Sequence, residues 1–573
     1  MAVTGVVVVE TNVAMPHANR VVQRGIDERM TNPLSPATRE SNLDALAEEP
    51  FDVVVIGAGI TGAGVAREAA LRGMRVALLE RADFASGTSS RSSRLVHGGI
   101  RYLEHGELHL VYEASRERRT LLRIAPHLVR PLRFLWPIFE HSRIPRWKLR
   151  AGFLLYDALA LFRNIANHRS LGTAAVAAQE PALRASGLEG GVNYYDASTD
   201  DIRLTIANVR AAAIAGAVVA NHLAVRSMSK DGSLVSGVCA EDSITGRVIA
   251  VQARTVVNAT GPWSDEVRRL ANPAAPPTLR GTRGVHVAVP RSRIRNEGAL
   301  TLLSPIDGRV MFVLPAGRLT IIGTTDSDYS GSPDEVRATA ADITYLLRTA
   351  NSFFPSAHLV AADVVSAWAG IRPLVSQGDG APGSVSREHA VHWTTPGVLS
   401  VSGGKLTTYR SMAQDVVDEI ARALGNPVAH APTDRIPLPG GELSSLEEES
   451  ARAREVIGLD DVADHLVSSY GAEWRDVWAM VEDDHALGAR VSPELPYIAA
   501  EIPWAVEREM ALTLSDILVR RMHVAFETHD HGVSAAPAVA RVAAPLLGWT
   551  STRMETELAR YDRDMAAIFG EGG

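Results

Sequence analysis

The sequence predicts an α/β fold that has an N-terminal nucleotide-binding unit and ends in a helical domain. Residues 51–80, FDVVVIGAGITGAGVAREAALRGMRVALLE, contain an apolar strand, a glycine turn, an alanine-rich helix and a second strand, which together make one βαβ unit. Alternating strand patterns return far downstream, up to residue 326. After Pro432 they give way to charged segments with apolar residues at helical spacing.

The downstream elements can be assigned in order. Residues 203–222 predict a helix followed by a strand, and the strands after them turn at Asp231-Gly232 and Thr245-Gly246. Residues 308–326 predict two strands about Ala316-Gly317. Near the C-terminus, AVEREMALTLSDILVRRMHVAFE predicts a helix over about 507–527 that serves for packing or as a partner surface.

Three regions follow from these patterns. Residues 1–49 lack sustained periodicity and contain several prolines, which predicts a poorly ordered extension. Residues 50–430 form the nucleotide-binding region, and residues 435–573 form a separate helical domain.

The composition limits the class of partner. The chain has 573 residues, of which 46% are hydrophobic and 22% charged, as expected of a globular protein with two or three domains. The net charge of -8 disfavours nucleic acid as a partner and favours small molecules. Cys239 is the single cysteine, so an intramolecular disulfide is excluded, which fits the reducing cytoplasm.

One segment is a candidate for membrane contact. No stretch of the sequence reaches the ~18 apolar residues that span a bilayer. Residues 143–169, RIPRWKLRAGFLLYDALALFRNIANHR, have an apolar centre flanked by basic residues, as in helices that lie in a lipid interface. A buried helix with a solvated collar explains the same pattern equally well.

The glycine turn of the βαβ unit predicts a dinucleotide site. Gly57-x-Gly59-x-x-Gly62 follows an apolar strand and opens a helix, and Glu80 ends the next strand. Glycines allow a pyrophosphate to approach the helix N-terminus, and Glu80 can accept hydrogen bonds from a ribose. The motif does not distinguish NAD from FAD.

Three further stretches supply candidate cofactor ligands. The loop 82–105 is rich in hydroxyls, and two more strands end in glycines. From these stretches the candidates are Thr88, Ser89, Ser93, His97, Gly98, Gly261, Trp263, Gly404, Leu406 and Thr407.

Lys405 is one of only three lysines, against 55 arginines among the 58 basic residues. Lysine is a compact donor on a flexible stem, whereas arginine is planar and always charged. In a chain so biased toward arginine, we interpret Lys405 as a position where arginine cannot replace lysine in its function. The alternative is that three lysines remain by chance, since Lys148 and Lys230 have the features of ordinary surface residues.

The sequence resembles the FAD-dependent glycerol-3-phosphate dehydrogenases of the aerobic, quinone-linked type across nearly its whole length after residue 50. The motifs that carry the resemblance are IGAGITGAGVAREAALRG, TSSRSSRLVHGGIRYLEHGEL, VVNATGPW, FVLPAGRLTIIGTTD, GIRPL and SGGKLTTYR. It implies a glutathione-reductase-like, Rossmann-type FAD-binding domain (about 50–135, 195–270 and 360–430). Interleaved with this is an antiparallel-sheet substrate domain of the D-amino-acid-oxidase type (about 136–194 and 271–359).

The resemblance also implies a reaction. In such enzymes sn-glycerol 3-phosphate is oxidised to dihydroxyacetone phosphate by hydride transfer from C2 to flavin N5, and the electrons pass to a membrane quinone. We therefore expect FAD as cofactor, peripheral contact with the inner face of the cell membrane, and a homodimer. A soluble oxidase that produces hydrogen peroxide and a non-catalytic nucleotide-binding module are the alternatives.

The implied substrate site gathers cations. Those available are Arg101, Arg372, Arg387 and Lys405, and the resemblance places three of them, Arg101, Arg372 and Lys405, around the substrate together with Tyr102. The general base stays open between His97, His286 and Lys405. The strand RGTRGVHVAVP, 280–290, departs from the family pattern although it keeps His286. We expect no metal site.

Overall fold

A computed structural model describes residues 32–375, 389–425 and 431–572. Its strands are β1 Phe51–Ile56, β2 Val76–Leu79, β3 Leu95–Val96, β4 Val129–Phe139, β5 Arg169–Leu171, β6 Leu188–Thr199, β7 Val218–Ala220, β8 Leu223–Asp231, β9 Leu234–Asp242, β10 Val248–Asn258, β11 Leu279–Pro290, β12 Ala299–Leu303, β13 Val310–Ala316, β14 Leu319–Gly323, β15 Ser327–Asp328, β16 Ser366–Val375, β17 His389–Thr395 and β18 Val398–Gly403. Its α-helices are α1 Pro36–Glu48, α2 Ile60–Leu71, α3 Leu108–Ile124, α4 Arg146–Leu159, α5 Thr173–Gln179, α6 Asp201–Ile214, α7 Ser264–Ala271, α8 Arg291–Ile294, α9 Ala340–Phe353, α10 Tyr409–Leu424, α11 Leu446–Ile457, α12 Asp460–Tyr470, α13 Trp474–Asp483, α14 Glu501–Glu509, α15 Val524–Glu527, α16 Ala536–Leu547 and α17 Ser551–Phe569.

The first sheet is built on parallel strands from distant parts of the chain. Its order is β17-β18-β10-β1-β2-β7, and β1 pairs in parallel with both β10 and β2. Val53, Val54 and Val55 of β1 are fully buried because both faces of the sheet are covered, which explains the uninterrupted apolar run. The predicted βαβ unit is therefore confirmed.

The second sheet is largely antiparallel and runs β15-β11-β14-β13-β12-β4-β6-β3. Strand β16 pairs with β11 over ten residues of each strand, from Leu279↔Val375 to Ala288↔Ser366. The two-strand prediction for 308–326 is confirmed by β13 and β14, which meet at Ala316 and Leu319. The second sheet thus carries segments from four separate parts of the chain to one face of the nucleotide-binding unit.

The segment before β1 differs from its prediction. Residues 32–49 include α1, whose N-terminus is capped when the Thr38 N–H donates to Ser35 Oγ at 3.0 Å. Leu43 is buried, and Arg39 is buried with its guanidinium 2.7 Å from the Asp242 carboxylate. The prediction of poor order failed here because the buried face of α1 includes polar side chains, which conceal the helical period. The part of the extension before residue 32 lies outside the described residues.

The C-terminal region is helical as predicted, and part of it packs against the nucleotide-binding region. Many of its apolar residues from Leu495 onward belong to the same buried cluster as those of β1 and α2, whereas those of α11, α12 and α13 pack in a cluster of their own. Arg203 of α6 and Glu509 of α14, both buried, form two hydrogen bonds of 2.7 Å. The helical region therefore shares part of its core with the nucleotide-binding region and has a second cluster of its own.

The predicted helix over about 507–527 is interrupted. Helix α14 ends at Glu509, and Met510 adopts a left-handed backbone conformation with φ 55°. A π-helical turn, Asp516–Arg521, and the short helix α15 follow. The Asp516 carboxylate accepts hydrogen bonds from the main-chain N–H groups of residues 512 and 513, which stabilises the break. The segment is buried inside the protein, which agrees with packing, one of the two roles predicted for it.

Within the described ranges, no helix combines the length and apolar character needed to cross a bilayer.

Candidate functional site

A cleft of 540 Å³ opens where the carboxyl ends of the parallel strands face the second sheet. Strands β1, β2, β10 and β18 contribute the residues at or just beyond their ends, and β11 and β16 form the opposite wall. In open α/β sheets this edge is the usual place for a ligand. The volume falls within the range of cofactor sites.

The glycine turn brings the backbone of β1 close to the helix α2. Gly57 has φ +98°, and a Cβ there would lie 2.9 Å from the Ala259 carbonyl oxygen. A Cβ at Gly62 would collide with the Gly57 carbonyl oxygen. Both positions therefore require glycine, and helix α2 begins without a side-chain cap at Gly59. A helix N-terminus that faces a cleft favours an anionic group such as a pyrophosphate.

Glu80 is held rigidly at the end of β2. Its carboxylate accepts hydrogen bonds from the N–H groups of Ala58, at 2.8 Å, and Ala82, at 3.0 Å. Burial raises the pKa of Glu80, and the two N–H donors partly oppose the shift. The carboxylate lines the cleft and keeps acceptor capacity for a ribose hydroxyl.

The serine-rich loop crosses the cleft between the two sheets. Ser89 Oγ accepts a hydrogen bond from the Ile60 N–H at 2.9 Å, next to the start of α2. The Thr88 hydroxyl donates to the Ile371 carbonyl oxygen of β16 at 2.8 Å. The loop thus joins the helix N-terminus to the opposite wall.

His286 lies on β11 with its ring buried against that wall. Its Nε2 is 2.8 Å from Ser93 Oγ, and its ring stacks on Trp368, with centroids 5.5 Å apart and planes inclined at 15°. Burial and the positive charges of Arg372 and Arg94 lower the pKa of His286 to about 3. The imidazole is therefore neutral near pH 7 and has a lone pair available.

Lys405 and Tyr102 meet at the same end of the cleft. The Lys405 Nζ lies 3.7 Å from the centroid of the Tyr102 ring, a cation–π contact. His97 stacks loosely on Tyr102, with centroids 6.4 Å apart. The His97 N–H donates to Thr407 Oγ1 at 3.1 Å, so the loop of His97 is joined to the segment of Lys405.

Arg372 extends over Gly284 into the cleft. A Cβ at residue 284 would overlap the Arg372 guanidinium, so glycine is required for this packing. Arg372 donates to Thr324 Oγ1 at 2.9 Å and to Asp326 Oδ1 at 3.1 Å. These bonds fix the guanidinium in one orientation, as binding of a phosphate or carboxylate requires.

Most of the predicted site residues converge on this cleft. Those that line it are Gly57, Gly59, Glu80, Thr88, Ser89, Ser93, His97, Tyr102, Gly261, Trp263, His286, Arg372, Gly404, Lys405, Leu406 and Thr407. Gly62 and Gly98 lie behind the lining and shape it. The side chain of Arg101 and all of Arg387 lie outside the described residues.

Two contributors to the cleft were not predicted from the sequence. Arg91, inside the serine-rich loop, lines the cleft and donates to the Ala369 carbonyl oxygen at 3.3 Å. Burial and the nearby charge of Arg520 lower its pKa to about 10. The apolar residues Val225, Val267 and Leu270 line the end near Trp263. Arg91 stands in the motif TSSRSS but was overlooked among the hydroxyl residues. Nothing in the local sequence indicates that β8 and α7 lie next to the cleft.

The cleft fits an extended dinucleotide. It offers a helix N-terminus with glycine as its capping residue, a fixed carboxylate near one end, and cations with a neutral imidazole near the other. Elsewhere, Asp83, His222 and Asp516 bring metal-ligand atoms close together. There Arg520 and Arg521 already bind the carboxylates, at distances of 2.5 to 2.9 Å.

Comparisons with known proteins agree with this geometry. Residues 52–410 match the FAD dependent oxidoreductase family, and residues 431–554 match the C-terminal domain of alpha-glycerophosphate oxidase. A Mycobacterium tuberculosis protein named glycerol-3-phosphate dehydrogenase 2 is 41% identical over 92% of this chain and 90% of its own length. A Synechocystis glycerol-3-phosphate dehydrogenase is 37% identical over 91% of this chain and 98% of its own. The crystal structure of the glycerol-3-phosphate dehydrogenase from Bacillus halodurans complexed with FAD is 31% identical, with a TM-score of 0.76 over 93% of this chain and 98% of its own.

Proposed function

The chain belongs to the family of FAD-dependent glycerol-3-phosphate dehydrogenases, and from that premise we propose that it oxidises sn-glycerol 3-phosphate to dihydroxyacetone phosphate and passes the electrons to a membrane quinone. The observation that carries the proposal is that Lys405, Tyr102, His286 and Arg372 line one cleft beside the helix N-terminus that suits a cofactor pyrophosphate. Several cations suit a compact phosphate dianion better than a lone carboxylate.

The chemistry needs an electron acceptor and a proton acceptor. The secondary alcohol becomes a ketone when C2 loses its hydrogen with the bonding pair and the hydroxyl loses its proton. FAD supplies the two-electron acceptor when bound. The protein supplies the remaining functions, namely a phosphate site, a polar contact to the substrate hydroxyl and a base.

We assign the phosphate to Arg372 and Lys405, with Arg101 and Arg387 as further candidates from the sequence. The Arg372 guanidinium lines the cleft and is held in place by Thr324 and Asp326, so its position suits an anionic group bound in the cleft. Lys405 is a point charge above the Tyr102 ring, where it can also stabilise negative charge that develops on the cofactor.

Among the three candidates for the base, we favour His286 because its neutral ring lines the cleft beside Arg372. Its pKa of about 3 keeps the imidazole neutral, but this value is low for a base that works near neutral pH. Part of the depression comes from the charges of Arg372 and Arg94. A phosphate dianion bound at Arg372 offsets that charge and raises the pKa of His286, while the larger cause of the depression, burial, stays.

Anaerobic titration of the yellow protein with glycerol 3-phosphate tests the reaction. Loss of the flavin absorbance band on addition of substrate supports it, and an unchanged spectrum contradicts it. Glycerol at the same concentration is the matched control because it lacks the phosphate that the cations bind.

Surface features of α4 and the residues after it support membrane contact. Trp147, Leu154 and Phe162 are 73%, 57% and 57% exposed. Leu161 and Phe162 have left-handed φ angles of 55° and 52°, an unfavourable conformation for large side chains, and it presents both to solvent. The exposed apolar side chains of this apolar-basic surface are Trp147, Leu154, Leu155, Leu161, Phe162 and Ile165, and its exposed basic side chains are Arg143, Arg146, Lys148, Arg150, Arg163 and Arg169.

We assign this surface to anionic phospholipid, where the quinone acceptor resides. Liposomes with anionic lipid should pellet the wild type at low salt. The double variant Leu154→Asp, Phe162→Asp should remain in the supernatant, while Ile214→Asp, at an equally exposed apolar residue elsewhere, should pellet. Equal pelleting of all three proteins would contradict the assignment.

The acceptor is tested separately. Reduction of a quinone analogue by substrate, without stoichiometric hydrogen peroxide under air, supports the respiratory reaction. Stoichiometric peroxide would identify the alternative, a soluble oxidase of the same substrate. We propose a homodimer as the assembly, which light scattering on the purified protein tests.

A further inference from the structure

The turn at Gly98-Gly99 is held in place by two buried side chains, Asp196 and Tyr156, on the side away from the cleft. The Gly98 N–H donates to Asp196 Oδ1 at 2.9 Å, and the Tyr156 hydroxyl donates to the same oxygen at 2.8 Å. Arg118 pairs with Asp196 and donates to the Tyr156 hydroxyl oxygen at 2.7 Å. At most 3% of Asp196, Tyr156 or Arg118 is exposed, so these bonds form away from competing water.

The fit around this turn is close. A Cβ at Gly98 would collide with the Tyr156 hydroxyl and lie 2.9 Å from Ser115 Oγ. Tyr102, a few residues further on, packs in one buried cluster with Tyr156 and Val111. The turn therefore has little freedom to shift unless Tyr156 shifts with it.

The other side of the same loop is held by the segment of Lys405. Thr407 Oγ1 accepts from the His97 N–H at 3.1 Å and donates to the His97 carbonyl oxygen at 3.2 Å. The loop is thus fixed between Asp196 and Thr407, and the Tyr102 ring lies 3.7 Å from the Lys405 ammonium. A shift of the loop would change that contact directly.

We propose that Tyr156 and Asp196 are positioning residues for the substrate site, because they fix the Gly98-Gly99 turn and so place Tyr102 beneath Lys405. The proposal rests on the proposed function of this cleft. Neither residue lines the cleft, so they act through the loop and not on the substrate. Tyr156 lies on α4, so the pair also connects the helix that carries the apolar-basic surface to the substrate site.

Tyr156→Phe tests the proposal, with Tyr194→Phe as the matched control. Tyr194 is equally buried and lies on β6 with Asp196, and its hydroxyl bonds to Thr301 Oγ1 at 2.8 Å instead of to that carboxylate. Loss of the Tyr156 hydroxyl should raise the KM for glycerol 3-phosphate about tenfold, with full FAD content. The control should leave KM unchanged. Equal KM values for the two variants would overturn the proposal.

A second variant separates positioning from general destabilisation. Gly98→Ala should raise KM strongly because its Cβ meets the Tyr156 hydroxyl. In the double variant Gly98→Ala, Tyr156→Phe the hydroxyl is absent, although the ring carbon Cζ stays 2.8 Å from the Cβ. The collision is therefore eased in part, and the combined effect should be smaller than the product of the two single effects. A combined effect equal to that product would overturn the proposal.

A measurement without substrate keeps this proposal distinct from the proposed function. Hydrogen–deuterium exchange of the peptide that spans the Gly98 N–H should be faster in Tyr156→Phe than in the wild type and in Tyr194→Phe. Unchanged exchange overturns the positioning role. Faster exchange in a protein whose flavin is not reduced by glycerol 3-phosphate would instead uphold the fastening of the turn and refute the proposed substrate.

Discussion

The Lys405 ammonium nitrogen lies 3.7 Å from the centroid of the Tyr102 ring, and both residues line the cleft. An ammonium in this position is attracted by the negative face of the ring and can still donate to a substrate in the cleft. A guanidinium is wider and planar, so it would either stack on the ring or turn its donors away. This geometry gives a physical reason for a lysine in a chain otherwise dominated by arginine.

The first prediction concerns that lysine. Lys405→Arg should slow reduction of the flavin by glycerol 3-phosphate about a hundredfold, because on the proposed function a preorganised point charge in the substrate site is lost. Anaerobic stopped-flow absorbance measures the rate. Lys230→Arg is the matched control, since Lys230 donates to the Ala271 carbonyl oxygen outside the cleft. If both variants react at the wild-type rate, Lys405 has no special role.

A second prediction concerns recognition of the phosphate by Arg372. Arg372→Lys keeps the charge but loses the planar fork, so the KM for glycerol 3-phosphate should rise at least about tenfold. Inhibition by inorganic phosphate should weaken in parallel, which steady-state kinetics will measure. Arg283→Lys serves as the control, because Arg283 lies on β11, pairs with Asp342 at 2.9 Å and does not line the cleft. Unchanged inhibition by phosphate in Arg372→Lys would place the phosphate elsewhere.

The third prediction addresses cofactor binding. Gly62→Ala should yield protein largely without FAD, because the added Cβ meets the Gly57 carbonyl oxygen and forces the helix N-terminus away from the turn. The ratio of flavin to protein absorbance after purification measures this. Gly152→Ala is the control, since a Cβ at residue 152 in α4 meets nothing within 4 Å. Normal FAD content in Gly62→Ala would show that the turn tolerates the shift.

The parts of the fold that were predictable are those with a local signal. The run from Phe51 to Glu80 specifies strand, turn and helix through its own periodicity and glycines, and the structure agrees. Helix α1 was missed because Arg39 is buried through its pairing with Asp242, a residue 203 positions away. The interruption near Met510 was missed because the residues around it have an ordinary helical sequence pattern. The hydrogen bonds to Asp516 that stabilise the break are visible only in the structure.

The candidate site also has parts that local sequence predicts and parts that it does not. Lys405 and Tyr102 were recognised from their motifs, yet their contact depends on the pairing of distant strands, which local sequence does not determine. Arg91 was overlooked because its environment, between Ala369 and Arg520, comes from segments far along the chain. The motifs therefore predicted which residues meet, whereas the tertiary packing decides how they meet.

The last prediction concerns the pH dependence of stability. Burial, with nearby arginines, lowers the pKa of His127 to about 3, while burial raises the pKa of Glu180 to about 7. Below the ordinary histidine pKa of about 6.5, the unfolded chain binds a proton at His127 and the folded chain does not. The contribution of His127 to stability therefore falls by about 2 kcal/mol as the pH falls from about 7 to 5. For Glu180 the folded chain binds the proton first, so its contribution rises over the same interval.

Substitutions should therefore change the slope of stability against pH in opposite directions. Compared with the wild type, His127→Asn should lose less stability between about pH 7 and 5, and Glu180→Gln should lose more. Urea unfolding midpoints of the FAD-saturated proteins measure both slopes, and comparison with the wild type cancels the groups that the variants share. Parallel slopes in all three proteins would mean that the pKa of neither group changes on folding. Different slopes would assign part of the pH dependence of stability to these two buried groups.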